Sequence, residues 1–107
     1  MQQPPHNPWA GEVALVVDGR AYACKLTLGA LAELEVALGA DTLAELVKRF
    51  EAGGFSTRDV LALIVAGLRG GGWDGTAQDL VRAEIEGGIL RAAEAAAELL
   101  ARAFATP

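Results

Sequence analysis

The residue types that most often do chemistry are scarce in this chain. It has one cysteine, Cys24, one histidine, His6, and one serine, Ser56. A nucleophile needs a base held beside it, and histidine is the usual base at neutral pH. His6 lies in a proline-rich opening stretch, MQQPPHNPWA, with no periodicity to hold a side chain in place. Ser56 stands three residues before Asp59 at the head of an apolar run, which is a helix-capping position. Cys24 sits among alternating apolar residues and reads as a small buried hydrophobe. A single cysteine forms no intrachain disulfide. The sequence holds no second histidine and no Cys-x-x-Cys pair, so it offers no zinc or transition-metal ligand set.

Paired carboxylates add little. Glu33 and Glu35 are two apart, which turns them to different faces of a helix. Glu84 and Glu86 precede two glycines and read as a solvated patch. Gly70-Gly71-Gly72-Trp73 follows a helical pattern and lacks the GxxxxGK[ST] spacing of a phosphate loop. Three glycines there read as a helix stop. The expectation is a protein that is not an enzyme and uses no cofactor and no metal.

Composition narrows the binding classes. The formal net charge is −5, and the only adjacent basic pair is Lys48-Arg49. An acidic chain without a basic stripe is a poor phosphate-backbone binder, so no nucleic acid is expected. A helix-turn-helix reading of the second and third helices fails on the same ground, since the would-be recognition helix carries Asp59 and is apolar nearly all round. No apolar run nears the ~20 residues that cross a bilayer. The opening residues lack a basic stretch followed by an apolar one, as a signal peptide has. Soluble and cytoplasmic is the expectation.

The elements that would position these residues are legible in order. Residues 1–10 are expected to be a flexible proline-rich arm, in which Trp9 packs on the domain edge or anchors a partner. Residues 11–107 are expected to be one domain. Asp18-Gly19 between two alternating apolar runs predicts a β-hairpin with a two-residue turn. Partners then sum to 37, so Val17 faces Arg20, Leu15 faces Tyr22 and Val13 faces Cys24 on a large apolar face. Val16 with Ala21, Ala14 with Ala23 and Glu12 with Lys25 form the other, smaller face. A lone hairpin is marginal in water, and helices follow to support it.

Thr27 caps a first helix from Leu28 to about Leu38, with Leu28, Leu31, Leu34/Glu35 and Leu38 as its stripe and Gly39 as its stop. Thr42 with Glu45 opens a second as a capping box, with a stripe of Leu43, Leu46, Val47 and Phe50 before Gly53-Gly54. Ser56 with Asp59 opens a third, and Phe55 is placed to staple onto Val60. That helix is apolar nearly all round, which suits a central position. Thr76 with Asp79 begins a short fourth, ending at Gly87-Gly88. The last runs from Ile89 to about Phe104, with Ile89, Ala93, Ala96/Ala97, Leu100 and Phe104 as a narrow stripe. The fold class is α+β, mainly α: an N-terminal β-hairpin followed by a compact bundle of about five helices.

Gly11-Glu12-Val13, the Asp18-Gly19-Arg20 turn and the run from Leu26 to Glu35, LTLGALAELE, resemble a family of small phage-type proteins. The likeness continues through Leu43, Phe50, the Ser56-to-Gly70 helix with its glycine stop, and the alanine-rich C-terminus. The family is encoded in the tail gene block of gene transfer agents and related prophages. It is described as a tail assembly chaperone or tail-tube-associated protein. The resemblance implies a partner-binding protein that shields the tape-measure protein and helps deliver the tail-tube protein. The alternative within it is a structural minor tail component retained in the particle, hence virion-associated. The family supplies no catalytic residues to transfer.

A protein of that kind needs apolar surface rimmed by charge. An amphipathic helix of a partner would dock in a groove between helices. The candidate partner-binding residues are Leu31, Leu34, Phe50, Phe55 and Trp73, and core packing is the competing reading for each. Trp73 stands out because it lies in a glycine-rich loop. The hairpin also leaves an edge, Val13–Val17 or Tyr22–Leu26, on which a second copy of the chain could pair.

Overall fold

Both turn residues take positive φ, 51° at Asp18 and 76° at Gly19, as a two-residue hairpin loop requires. They join β1 (Val13–Val17) to β2 (Arg20–Cys24) in the computed structural model, which describes residues 11–104. The proline-rich arm, with His6 and Trp9, lies outside the described residues. The strands pair in the expected antiparallel register, from Val13 with Cys24 to Val17 with Arg20. Val13, Leu15, Val17 and Cys24 are buried, so the large face is the core face.

Five helices follow: α1 (Leu28–Leu38), α2 (Leu43–Ala52), α3 (Thr57–Gly70), α4 (Ala77–Val81) and α5 (Gly88–Ala103). The first four are opened by a hydroxyl that accepts a backbone N–H of the first turn. Thr27 takes that of Ala30 at 3.0 Å, Thr42 that of Glu45 at 3.1 Å, Ser56 that of Asp59 at 3.1 Å and Thr76 that of Asp79 at 3.3 Å. At Ser56 and Thr76 the Asp also accepts the cap's own N–H, completing a box. At Thr42 only half of the expected box forms: the Glu45 carboxylate meets the threonine hydroxyl instead, at 3.4 Å.

The central helix is α3. It packs against α1, α4, α5 and β2, and buries Val60, Leu63, Ile64, Ala66 and Leu68. Its last turn passes very close to β2. The Lys25 N–H donates to the Gly67 carbonyl at 2.9 Å. A side-chain carbon added at Gly70 or Gly71 would lie 1.9 Å from the Lys25 carbonyl oxygen or 2.0 Å from that of Ala23. The glycine run is therefore more than a helix stop, because only a bare backbone lets the helix lie on the strand.

Three expectations are corrected. Leu28 belongs to no core stripe; it is 86% exposed, and α1 buries Ala30 and Leu34 with Leu31 and Leu38 half-buried. Next, α5 buries Ala92, Ala95, Ala96, Leu99 and Leu100, while Ile89 and Phe104 are exposed. Alanines carry little phase information, and the helix turns so that both Leu99 and Leu100 reach the core. Finally, α4 ends at Val81, well short of Gly87.

The residues after α4 run alongside β1 instead, with Ile85 opposite Val17 in an antiparallel bridge. The Asp18 N–H donates to the Glu84 carbonyl at 2.7 Å and the Glu86 N–H to the Val16 carbonyl at 3.0 Å. The Asp18 carboxylate accepts the Glu84 N–H at 2.8 Å. From α5, the guanidinium of Arg91 donates to the Ala14 carbonyl at 2.6 Å and that of Arg102 to the Glu12 carbonyl at 2.7 Å. Every outward carbonyl from Glu12 to Val16 is thus bonded within the chain. The edge expected to receive a second copy through Val13–Val17 is occupied. The Tyr22–Leu26 edge is covered at Ala23 and Lys25 by the end of α3.

Candidate functional site

The groups with intrinsic reactivity are held in structural roles. Cys24 is buried, and burial pushes its thiol pKa up to about 12 against a smaller lowering pull from Arg91. A thiol so raised is a poor nucleophile at neutral pH. Ser56 caps α3. Asp59 is the buried charged residue of the described core. Arg49 grips both of its carboxylate oxygens, each at 2.9 Å, and the Ser56 N–H adds a third bond at 2.9 Å. The Arg49 side chain, then the Ser56 N–H, hold the Asp59 carboxyl below the usual range against the opposing effect of burial. This pair ties α2 to the head of α3. Among the described residues no group of three or more His, Cys, Asp or Glu side chains is placed to hold a metal ion.

The five residues singled out as partner contacts fall into three groups. Leu34 is 1% exposed and belongs to the core. Phe50 and Phe55 are half-buried and stack on one another, ring centres 4.4 Å apart and nearly parallel. They join the end of α2 to the entrance of α3. Leu31 and Trp73 are also half-buried against the core. The Trp73 ring lies so close to Gly75 that a side-chain carbon there would overlap it, at 2.1 Å. Trp73 is therefore a packed wall between two shallow hollows. One is lined by Asp18, Arg20, Tyr22 and Asp79, the other by Thr27, Glu33, Arg69 and Asp74. No single groove brings the five residues together.

The most exposed large apolar side chains are elsewhere: Leu28, Val36, Val81, Ile89, Leu90 and Phe104. Two of them share one helix face. At about 100° per residue, Leu28, Ala32 and Val36 fall in a single stripe along α1, with Gly29 at its margin. Leu28 is 86% and Val36 82% exposed, and Ala32 is exposed between them. On the same count, Glu35 borders the stripe on one side and Glu33 on the other. Glu33 is bonded to the Arg69 guanidinium at 2.8 Å. Glu35 makes no ion pair among the described residues. The helix itself carries no lysine or arginine. Its opposite side, Ala30 and Leu34, is the one that packs inward.

Sequence reasoning missed this face because LGALAELEVAL carries apolar residues on every side, with Glu33 and Glu35 between them. Leucines on both sides satisfy a helical period, and only the packing of α3 decides which side is inside. It also missed Arg91 and Arg102 as edge-sealing residues. Their one signal is that they lie 11 apart on α5, three turns, and so project from the same side.

A model of one protein family, described as phage tail tube protein, GTA-gp10, matches residues 10–106. No curated protein and no solved structure matches the chain.

Proposed function

Because the chain belongs to the phage tail tube protein family GTA-gp10, we propose that it works in tail assembly as a chaperone of a gene transfer agent or prophage. It is not an enzyme in this reading. It binds the tape-measure protein, the tail-tube protein or both in the cytoplasm, and keeps them soluble until the tail is built. The observation that carries the reading is the exposed set Leu28, Val36, Val81, Ile89, Leu90 and Phe104 on a domain in which, among the described residues, every buried polar side chain is bonded. The exposed part of such side chains contributes no burial energy to the fold. Apolar surface on an acidic, soluble domain is what a transient binder of apolar segments needs.

A second reading has one observation in its favour, the tail-tube description of the family itself. In it the protein stays in the particle as a structural component. Against wall-building by sheet extension stands the sealed edge of β1, since a growing sheet needs open edges. Particle composition separates the readings. A chaperone is absent from purified particles, whereas a structural component is present in fixed ratio to the tail-tube protein. Co-expression with the tape-measure and tail-tube proteins of the same locus tests the chaperone directly. Failure to raise the soluble yield of either, with no co-purification, refutes it.

A further inference from the structure

We propose that the outer face of α1, Leu28-Ala32-Val36 between Glu33 and Glu35, is a docking stripe for an amphipathic helix whose apolar positions are flanked by lysine or arginine. The proposal rests on the assembly role above and names the surface and the kind of segment it receives.

Three observations lead to it. First, the stripe is unpartnered among the described residues, of which Leu28 and Val36 are among the most exposed. Second, its spacing suits a helix. Residues at i, i+4 and i+8 form one ridge about 12 Å long, the unit that interdigitates when two helices pack. The small Ala32 at its centre, with Gly29 beside it, permits close approach. Third, the rim is acidic on balance, with Glu33 ion-paired to Arg69 and Glu35 in no ion pair among the described residues. Glu35 and Glu33 stand on opposite borders, and α1 carries no cation.

The rim decides between occupants. A second copy packing antiparallel across a two-fold axis sets Glu35 against Glu35 and Glu33 against Glu33. A parallel pair sets Glu35 against Glu33. The antiparallel arrangement opposes like charges at Glu35, which disfavours association, and the parallel one offers Glu35 only the Arg69 guanidinium already engaged by Glu33. Arg69 offsets Glu33 but stands on that side only. A helix with cations on both flanks of its apolar stripe meets two carboxylates instead, and gains in encounter rate and in register. An anionic membrane surface meets the same repulsion as a second copy.

The test uses the full-length protein and two synthetic helical peptides of about 18 residues. They share one leucine stripe and differ only in flanking residues, lysine in one and glutamate in the other. Binding is measured by titration calorimetry at low and physiological salt. Expected is binding of the lysine peptide with at least about tenfold preference over the glutamate peptide, or about 1.4 kcal/mol. Ala32→Glu should weaken it about tenfold or more, while Leu90→Glu, an exposed apolar position on α5, leaves it unchanged. Glu35→Lys should narrow the preference between the peptides. All three sites are exposed, and circular dichroism verifies folding of each variant.

Equal binding of both peptides, or loss with Leu90→Glu and not with Ala32→Glu, overturns the proposal. So does self-association of the wild type that Ala32→Glu abolishes, which would make a second copy the occupant. The Ala32→Glu variant is also carried through the co-expression assay. If the wild type fails there while the peptide results hold, the chaperone reading falls and the stripe stands. If the wild type succeeds and Ala32→Glu does so equally, the stripe falls and the chaperone reading stands.

Discussion

Replacing Gly70 by alanine tests the close approach of α3 to the backbone that follows β2. The new carbon would lie 1.9 Å from the Lys25 carbonyl oxygen and 3.1 Å from its carbonyl carbon. Ordinary carbon-to-oxygen contact begins at about 3.3 Å, so strand and helix must part by about 1.4 Å. The obstacle is backbone on both sides, which no rotamer change relieves. Parting also carries the 2.9 Å bond from the Lys25 N–H to the Gly67 carbonyl out of range. Overpacking alone costs about 1–3 kcal/mol, and the lost bond about 1 kcal/mol more. Alanine returns up to about 1 kcal/mol through its better helix propensity. The net expectation is a loss of about 2 kcal/mol, or roughly 8 °C or more in melting temperature for a domain of this size. Urea and thermal unfolding followed by circular dichroism read it. Gly54→Ala is the control, because open space surrounds that position and a change within about 1 kcal/mol is expected there. A Gly70→Ala midpoint matching the wild type would show that α3 does not lie on β2 as described.

Four further outcomes follow from the same contacts. Asp59 has its carboxyl pKa lowered in the fold, foremost by Arg49; its contribution is fully present above the unfolded value of about 3.9 and is lost as pH falls through the lower folded one. Urea midpoints at pH 7, 4 and 2.5 should therefore fall more steeply for the wild type than for Asp59→Asn, and parallel curves would refute the pairing. The Cys24 thiol should resist Ellman's reagent at pH 8 in the native protein and react at once in urea; stoichiometric native reaction within minutes would contradict its burial. Ser56→Ala should cost about 1 kcal/mol as the loss of a helix cap, measured by the urea midpoint. The pair Arg91→Met and Arg102→Met should bare the Glu12 and Ala14 carbonyls and produce larger species in analytical ultracentrifugation; a sedimentation profile unchanged from the wild type would show that the arginines do not guard the edge.

The parts of the fold that were legible in the residues are those set by local chemistry. Asp18-Gly19 fixed the hairpin register because few residues tolerate positive φ. Thr27, Thr42, Ser56 and Thr76 marked helix starts because a hydroxyl there has a defined donor to accept. What stayed hidden depends on partners distant in sequence. The phase of α5 was misread because alanine fits a core face and a surface face equally well. The bridge at Ile85 is a single residue long, too short for any period to show. The exposed face of α1 was hidden by its own uniformity, and so the candidate contacts fell on Leu34, which the core claims.

The sealing of β1 also sets a timetable for synthesis. Its closing bonds come from Glu84, Arg91 and Arg102, at sequence separations of 66, 77 and 90 residues from their partners. The hairpin leaves the ribosome well before the residues that quench its edge. Until those residues emerge the strand is bare, and neighbouring nascent chains on one message are the nearest strands available to it. A transcript truncated within α5 after Arg91 would keep the bonds from Glu84, Glu86 and Arg91 and lose the one from Arg102 to the Glu12 carbonyl. Such a fragment would be opened at the start of β1, and for this chain Arg91 and Arg102 make α5 a folding safeguard as much as a part of the core.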